Sequence, residues 1–214
     1  MKKELEEIII EYNTCDLPYI EEAIAILKNE IKPILDFFAF TKFVPKVTLR
    51  LWPDLEKYRN VFAIENQNRI GSIQKINETT VIEVVSLKEV KKIKYYENTT
   101  IKDFAHLLLH EFVHVCHFRY TTTKSYIWLW EGLATFLSSQ YKETNFFTAT
   151  LEEMKKRKNT DYREFYTMFL YVYQTYGKNY IWKLLNNFTL QEKETPRLYK
   201  ETKEYIPVKH TVRV

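Results

Sequence analysis

The segment HEFVH, residues 110–114, has the residue types and spacing of a metal-binding site on a helix. His110 and His114 are four residues apart, so at 3.6 residues per turn their side chains are offset by only ~40° and both can reach one ion. Glu111 points to the flank of this pair, where it can hold a water without binding the metal itself. The pattern predicts metal-assisted hydrolysis with Glu111 as general base.

The helix around this motif reads FAHLLLHEFVHVCHF and is apolar almost all the way round, which predicts that it is buried. Buried imidazoles and a carboxylate without partners would cost several kcal/mol, and a divalent cation with its water suits all of them. The alternative is that neighbouring side chains satisfy the histidines.

Two more histidines, His106 and His117, lie close to the same arc of the helix surface as His110 and His114. Other pairs of these histidines could therefore also reach one ion. Only His110 and His114 bracket a glutamate, and we therefore predict that the other two are packing residues or hydrogen-bond to the ligands. Cys116 lies roughly 200° around the helix from His114 and is predicted to be a core thiol.

A catalytic zinc ion needs a third protein ligand and an open fourth position. Glu131 lies within WLWEGLA, residues 128–134, in a second nearly apolar segment. A lone carboxylate in such a helix calls for a bound partner, which makes Glu131 the candidate third ligand.

The order HEFVH and then WLWEGLA resembles the gluzincin metallopeptidases, which include thermolysin and the aminopeptidase-N-like enzymes. Their second helix carries WLxEGxA with the glutamate as ligand. The resemblance implies one Zn²⁺ ion held by His110, His114 and Glu131, with Glu111 as general base. Trp130 stands where the aminopeptidases have asparagine, and their GxMEN-type motif is absent, which favours an endopeptidase.

Most of the chain also resembles small, minimal gluzincins: a strand and long helix, PKV plus a strand, a strand before the metal helix, and FYTMFLYVYQTYG as a closing helix. In these families a tyrosine or histidine from the C-terminal region stabilises the oxyanion. Tyr162, Tyr166 and His210 are the candidates, and Tyr162 is preferred because it begins the closing helix. The alternative is an ordinary packed tyrosine.

The sequence suggests two further roles. Residues 80–87 (TVIEVVSL) are a candidate strand to which a peptide substrate adds, although an ordinary edge or inner strand has the same pattern. Thr135, one turn after Glu131, is placed to hydrogen-bond to a metal ligand.

Hydrophobic periodicity predicts the elements that position these residues. In the N-terminal half, strands are expected at residues 6–12, 47–52, near Gly71 and at 80–87, with a long helix that starts at Asp16 as N-cap and is kinked or divided at Pro33. In the C-terminal half, Thr100 and Asp103 predict a capping box, and helices follow at 125–141, 148–158 and 162–176. Gly177 ends the last of these, and a further helix follows it.

The predicted fold class is α+β and zincin-like, with a mixed N-terminal β-sheet, a backing helix, an active-site helix and a C-terminal helical subdomain. We predict one catalytic domain over residues 1–214, with an upper part at 1–118 and a lower part at 119–214. Residues from 191 onward either pack on the body or cover the cleft as a latency segment.

Composition narrows the class of partner. The chain has 214 residues, 45% of them hydrophobic, and a net charge of +4 with acids interleaved among the bases. This interleaving predicts that the chain does not bind nucleic acid. The N-terminal apolar run is too short for a membrane span, so no membrane binding is expected. The resemblance to the metallopeptidases implies a peptide or protein substrate. The N-terminal residues show no signal peptide, so a cytoplasmic location and two reduced thiols, Cys15 and Cys116, are expected.

The leading hypothesis is a zinc-dependent peptidase. Two alternatives stay open: a catalytically inactive zincin-fold binding protein, and a regulatory peptidase that cuts one partner protein.

Overall fold

A computed structural model describes residues 1–64, 69–76, 79–141, 147–156 and 161–211, with side chains described to residue 206. The chain is α+β, as predicted, and divides into two compact units, Met1–Cys116 and His117–Val214. The proposed parts at 1–118 and 119–214 within one domain stay a prediction. No helix in the described part of the chain combines the length and hydropathy needed to cross a membrane.

The first unit contains a five-stranded mixed sheet. Its strands are β1 (Lys2–Glu4), β2 (Ile8–Glu11), β3 (Val47–Trp52), β4 (Gly71–Ile76) and β5 (Thr79–Val85), in the order β1-β2-β3-β5-β4. Strands β2, β3 and β5 run parallel, whereas β1 and β4 pair antiparallel at the two ends of this order. The alternation in VTLRLW predicts β3 correctly.

Strand β5 corrects one expectation, because it pairs with β3 on one side and with β4 on the other. Its backbone groups are therefore used within the sheet, and it cannot accept a substrate strand. Residues 81–85 are all buried, as is typical of an inner strand. Among the described strands, β4 is the edge next to it.

Among the described residues, four α-helices belong wholly or mainly to the first unit: α1 (Leu17–Phe37), α2 (Leu55–Val61), α3 (Leu87–Val90) and α4 (Ile101–Tyr120). Helix α1 continues through Pro33, so it is not divided there. Asp16 stands at its N-cap position but makes no side-chain cap bond. Its buried carboxylate instead accepts hydrogen bonds from the Asn13 amide and the Tyr19 hydroxyl.

Helix α4 begins with the predicted capping box. The Thr100 hydroxyl accepts a hydrogen bond from the Asp103 amide at 3.1 Å, and the Asp103 carboxylate accepts one from the Thr100 amide at 3.0 Å. Within this unit α4 contacts α1 through Phe104 and Tyr19, whose rings meet edge to face at 5.7 Å. These bonds and contacts fix the start of the helix that carries the histidines.

The second unit contains α5 (Ile127–Leu137), α6 (Leu151–Lys155), α7 (Tyr162–Leu185) and α8 (Phe188–Thr211). Helix α5 is shorter than the predicted 125–141, and the predicted end of α6 lies outside the described residues. The backbone of α7 is non-helical at Gly177, with φ 76° and ψ 174°, so two helical segments meet there as predicted.

Helix α8 was not predicted as a helix. Over residues 188–206, where its side chains are described, it buries four of them along one stripe, and it packs against α7 of its own unit. These side chains are Gln191, Thr195, Leu198 and Thr202. The described residues after 191 therefore pack on another helix of their own unit. This agrees with the first of the two hypotheses, that the segment packs on the body of the protein.

Candidate metal site

The two histidines of HEFVH face each other on α4. Their Nε2 atoms are 3.1 Å apart, and their rings are nearly perpendicular at 88°. Each side chain is only 6% exposed. The four-residue spacing on a regular helix accounts for this pairing, because His110 and His114 lie one above the other on one face.

Glu131 lies in the middle of α5 and is 3% exposed. The neighbouring Gly132 lets α5 approach α7 closely: a Cβ atom there would lie 2.6 Å from the Phe165 carbonyl oxygen. This close approach requires glycine. It fixes the rotation of α5 about its own axis, and the position of α5 along α7, and thereby the place of Glu131.

Helix α8 holds the beginning of α5. The side-chain oxygen of Gln191 accepts a hydrogen bond from the Tyr126 amide at 3.0 Å, and its nitrogen donates to the Lys124 carbonyl at 3.2 Å. The Trp128 indole N–H donates to the Thr195 hydroxyl at 3.2 Å. Sequence reasoning missed Gln191, since a glutamine among charged residues gives no sign of burial.

The ligand atoms of His110, His114 and Glu131 all lie within 4.8 Å of one another, and all three residues are buried. This group could hold a metal ion. Two imidazole nitrogens and a carboxylate oxygen form a donor set that zinc uses. With bonds of ~2.0–2.1 Å in a tetrahedral arrangement, zinc ligand atoms are roughly 3.3 Å apart, which is close to the observed Nε2–Nε2 distance. The donor set and the spacing of the two imidazoles are therefore compatible with a zinc ion.

Glu111 is half-buried on α4, and its carboxylate lies against the first residue of β4. A Cβ atom at Gly71 would lie 2.6 Å from the Glu111 Oε1 atom. The sequence contains no direct signal for this contact, because the two residues are far apart along the chain. An isolated glycine in a strand pattern is nevertheless a known sign of close backbone approach.

His106 and His117 are buried but are not members of this donor group. The His117 ring packs on Trp130, with centroids 4.6 Å apart. Cys116 is fully buried, as predicted for a core thiol, and neither Cys116 nor Cys15 forms a disulfide.

Tyr162 is the first residue of α7 and is half-buried, with its ring against Phe165 at 6.1 Å. Tyr166 is buried and contacts Phe136 and Tyr141. The His210 side chain lies outside the described residues. The oxyanion role of Tyr162 therefore stays a prediction.

Thr135 corrects another expectation in part. Its hydroxyl is fully buried and donates to carbonyl oxygens of its own helix, those of Glu131 at 2.8 Å and Gly132 at 3.0 Å. It therefore contacts the backbone of Glu131 and not the carboxylate.

Comparison with known proteins adds no relative: no protein-family model, no curated protein and no solved structure gives a significant match to this chain.

Proposed function

We propose that this chain is a zinc-dependent peptidase of the gluzincin type with a zincin-like fold, acting as an endopeptidase on peptide or protein substrates. The observation that carries the proposal is the buried group of His110, His114 and Glu131, whose ligand atoms lie within 4.8 Å of one another. Two imidazoles and a carboxylate leave one position open in a four-coordinate zinc site, as hydrolysis requires.

In this proposal Glu111 acts as the general base. When bound, zinc supplies a water with a pKa of roughly 7 and positive charge beside the scissile carbonyl. Glu111 takes the proton from this water and later passes it to the leaving amine. Tyr162 is the proposed second donor to the oxyanion, a contribution usually worth ~2.7–4 kcal/mol.

The sheet supports the choice of a peptide substrate. Strand β4 is an edge in the order of described strands, and its first residue, Gly71, lies against the Glu111 carboxylate. An extended peptide that pairs with an edge strand makes backbone hydrogen bonds along it. A peptide added to β4 would thus lie beside the proposed base.

The test compares wild type, Glu111→Gln and Glu22→Gln on a quenched peptide library and on casein. Glu111→Gln should retain one metal ion per chain while kcat falls by about 10²–10⁴, because the proton acceptor is lost and the ligands are not. Glu22 is exposed on α1, so Glu22→Gln is the matched control and should retain wild-type kcat.

Equal activity in wild type and Glu111→Gln would rule out the proposed base. Metal binding without any hydrolysis in wild type would instead favour the inactive zincin-fold binding protein. Cleavage of one protein in a proteomic screen, with no activity on the library, would favour the regulatory peptidase.

A further inference from the structure

The space beside Gly71 is defined by one side chain. The three atoms nearest to a Cβ placed there all belong to Glu111: Oε1 at 2.6 Å, Cδ at 3.0 Å and Cγ at 3.3 Å. Real Cβ atoms essentially never approach another atom within 3.0 Å. An alanine at this position and the present position of the Glu111 carboxylate therefore exclude each other.

The backbone of Gly71 does not itself need glycine. Of the described glycines, Gly177 has positive φ and Gly71 does not. Gly71 pairs with Val84 in the β4–β5 ladder, in an extended conformation that alanine adopts readily. Glycine in a strand also loses more conformational entropy on folding than alanine. Its presence at the start of β4 is therefore explained by the space it leaves and not by the turn it allows.

We propose that Gly71 is a positioning residue for Glu111, and that its missing side chain sets where the carboxylate lies along the edge strand. This inference rests on the proposed function for its catalytic meaning. The clash involves the end of a flexible side chain, so an alanine would leave the fold intact and push the carboxylate away. A displaced base loses its alignment with the water and the scissile bond, although the metal ligands are unchanged.

The kinetic test compares Gly71→Ala with Gly177→Ala. Gly71→Ala should lower kcat by about tenfold to a hundredfold, since a misplacement of about 1 Å can cost that much, while KM, metal content and the unfolding midpoint stay close to wild type. Gly177 has φ 76° and no atom within 4 Å of its ideal Cβ position. Gly177→Ala should therefore lower the unfolding midpoint and leave kcat per folded molecule unchanged. A wild-type kcat in Gly71→Ala would overturn the inference.

A second test does not depend on activity. The change in urea midpoint caused by Gly71→Ala is measured in wild type and in Glu111→Ala, without metal. Because Glu111→Ala vacates the space, Gly71→Ala should raise the midpoint more in that background than in wild type. Equal changes in both backgrounds would show that the two residues do not interact and would overturn the inference. An inactive wild type would contradict only the proposed function, since this cycle still reports the contact.

Discussion

At the scale of single residues, the candidate site depends on which of the buried histidines place a ring nitrogen near a common point. His106, His110, His114 and His117 are all buried on α4, but only His110 and His114 join Glu131 in one donor group. Burial alone therefore does not identify a ligand. The close approach of two ring nitrogens and a carboxylate is what makes these three residues the candidate ligands, because a cation would offset the cost of burying all three.

This assignment predicts different metal affinities for two histidine variants. His114→Ala should weaken zinc binding by more than about a hundredfold, since it removes one of three protein ligands, a larger loss than the ~10–100-fold that follows from outer-shell changes. His106→Ala is the matched control on the same helix and should retain one ion per chain. Calorimetric titration with zinc measures both, and an equal loss in the two variants would contradict the ligand assignment.

At the scale of secondary-structure elements, the two helices that carry the candidate ligands are fixed by different means. Helix α4 begins with a local capping box, which its own sequence specifies. Helix α5 has no side-chain cap, and its first turn depends on Gln191 from α8. Substitution of Gln191, which is distant in the chain, should therefore lower the stability of the site. Substitution of Asp103, within α4 itself, should do the same.

Asp103→Asn tests the start of α4. Burial raises the pKa of Asp103, but hydrogen bonds from the hydroxyl and amide of Thr100 outweigh it, so that the folded-state pKa lies below its usual value. The carboxylate thus adds stability above the unfolded pKa of ~3.9, and this is lost as the pH falls through the folded value. Asp103→Asn should cost about 0.5–1 kcal/mol from pH 7 to 5 and less below about pH 3.9.

Urea unfolding at a series of pH values measures this difference. The control is Asp36→Asn, which breaks an exposed pair with Lys32 and should cost at most ~0.5 kcal/mol. A cost for Asp103→Asn that grew as the pH fell would contradict the assigned sign.

Gln191→Ala tests the support of α5. The Gln191 side chain is fully buried, and its loss leaves the Tyr126 amide and the Lys124 and Leu184 carbonyls without this partner. The expected cost is about 2–4 kcal/mol in unfolding free energy, together with weaker zinc binding. Gln174→Ala, at an exposed position on α7, should cost less than about 0.5 kcal/mol. Unchanged zinc affinity in Gln191→Ala would contradict a role in positioning Glu131.

At the scale of the whole molecule, a metal ion bound only by the folded chain should stabilise it. With free zinc a thousandfold above Kd, the gain is about 4 kcal/mol, which for a chain of this length corresponds to roughly 8–16 °C in Tm. Chelation should remove this gain in wild type and in Glu111→Gln. Glu131→Ala should show a much smaller shift, because its ligand set is incomplete. Calorimetry with and without chelator measures the shifts, and an equal shift in Glu131→Ala would contradict the proposed third ligand.

The sequence by itself determined the features that arise within one element. Helical periodicity places His110 and His114 on one face of α4, alternation defines β3, and Gly177 marks the break in α7. Each depends on neighbours a few residues apart, so a local pattern is sufficient.

Only the tertiary structure decided how separate elements meet. It brings the Glu131 carboxylate to the imidazoles, sets Gly71 against Glu111, and makes β5 an inner strand with β4 at the edge. It also buries one stripe of the otherwise polar helix α8. These outcomes depend on packing between segments that are distant in the chain, and a polar residue buried by such packing has the same sequence pattern as an exposed one.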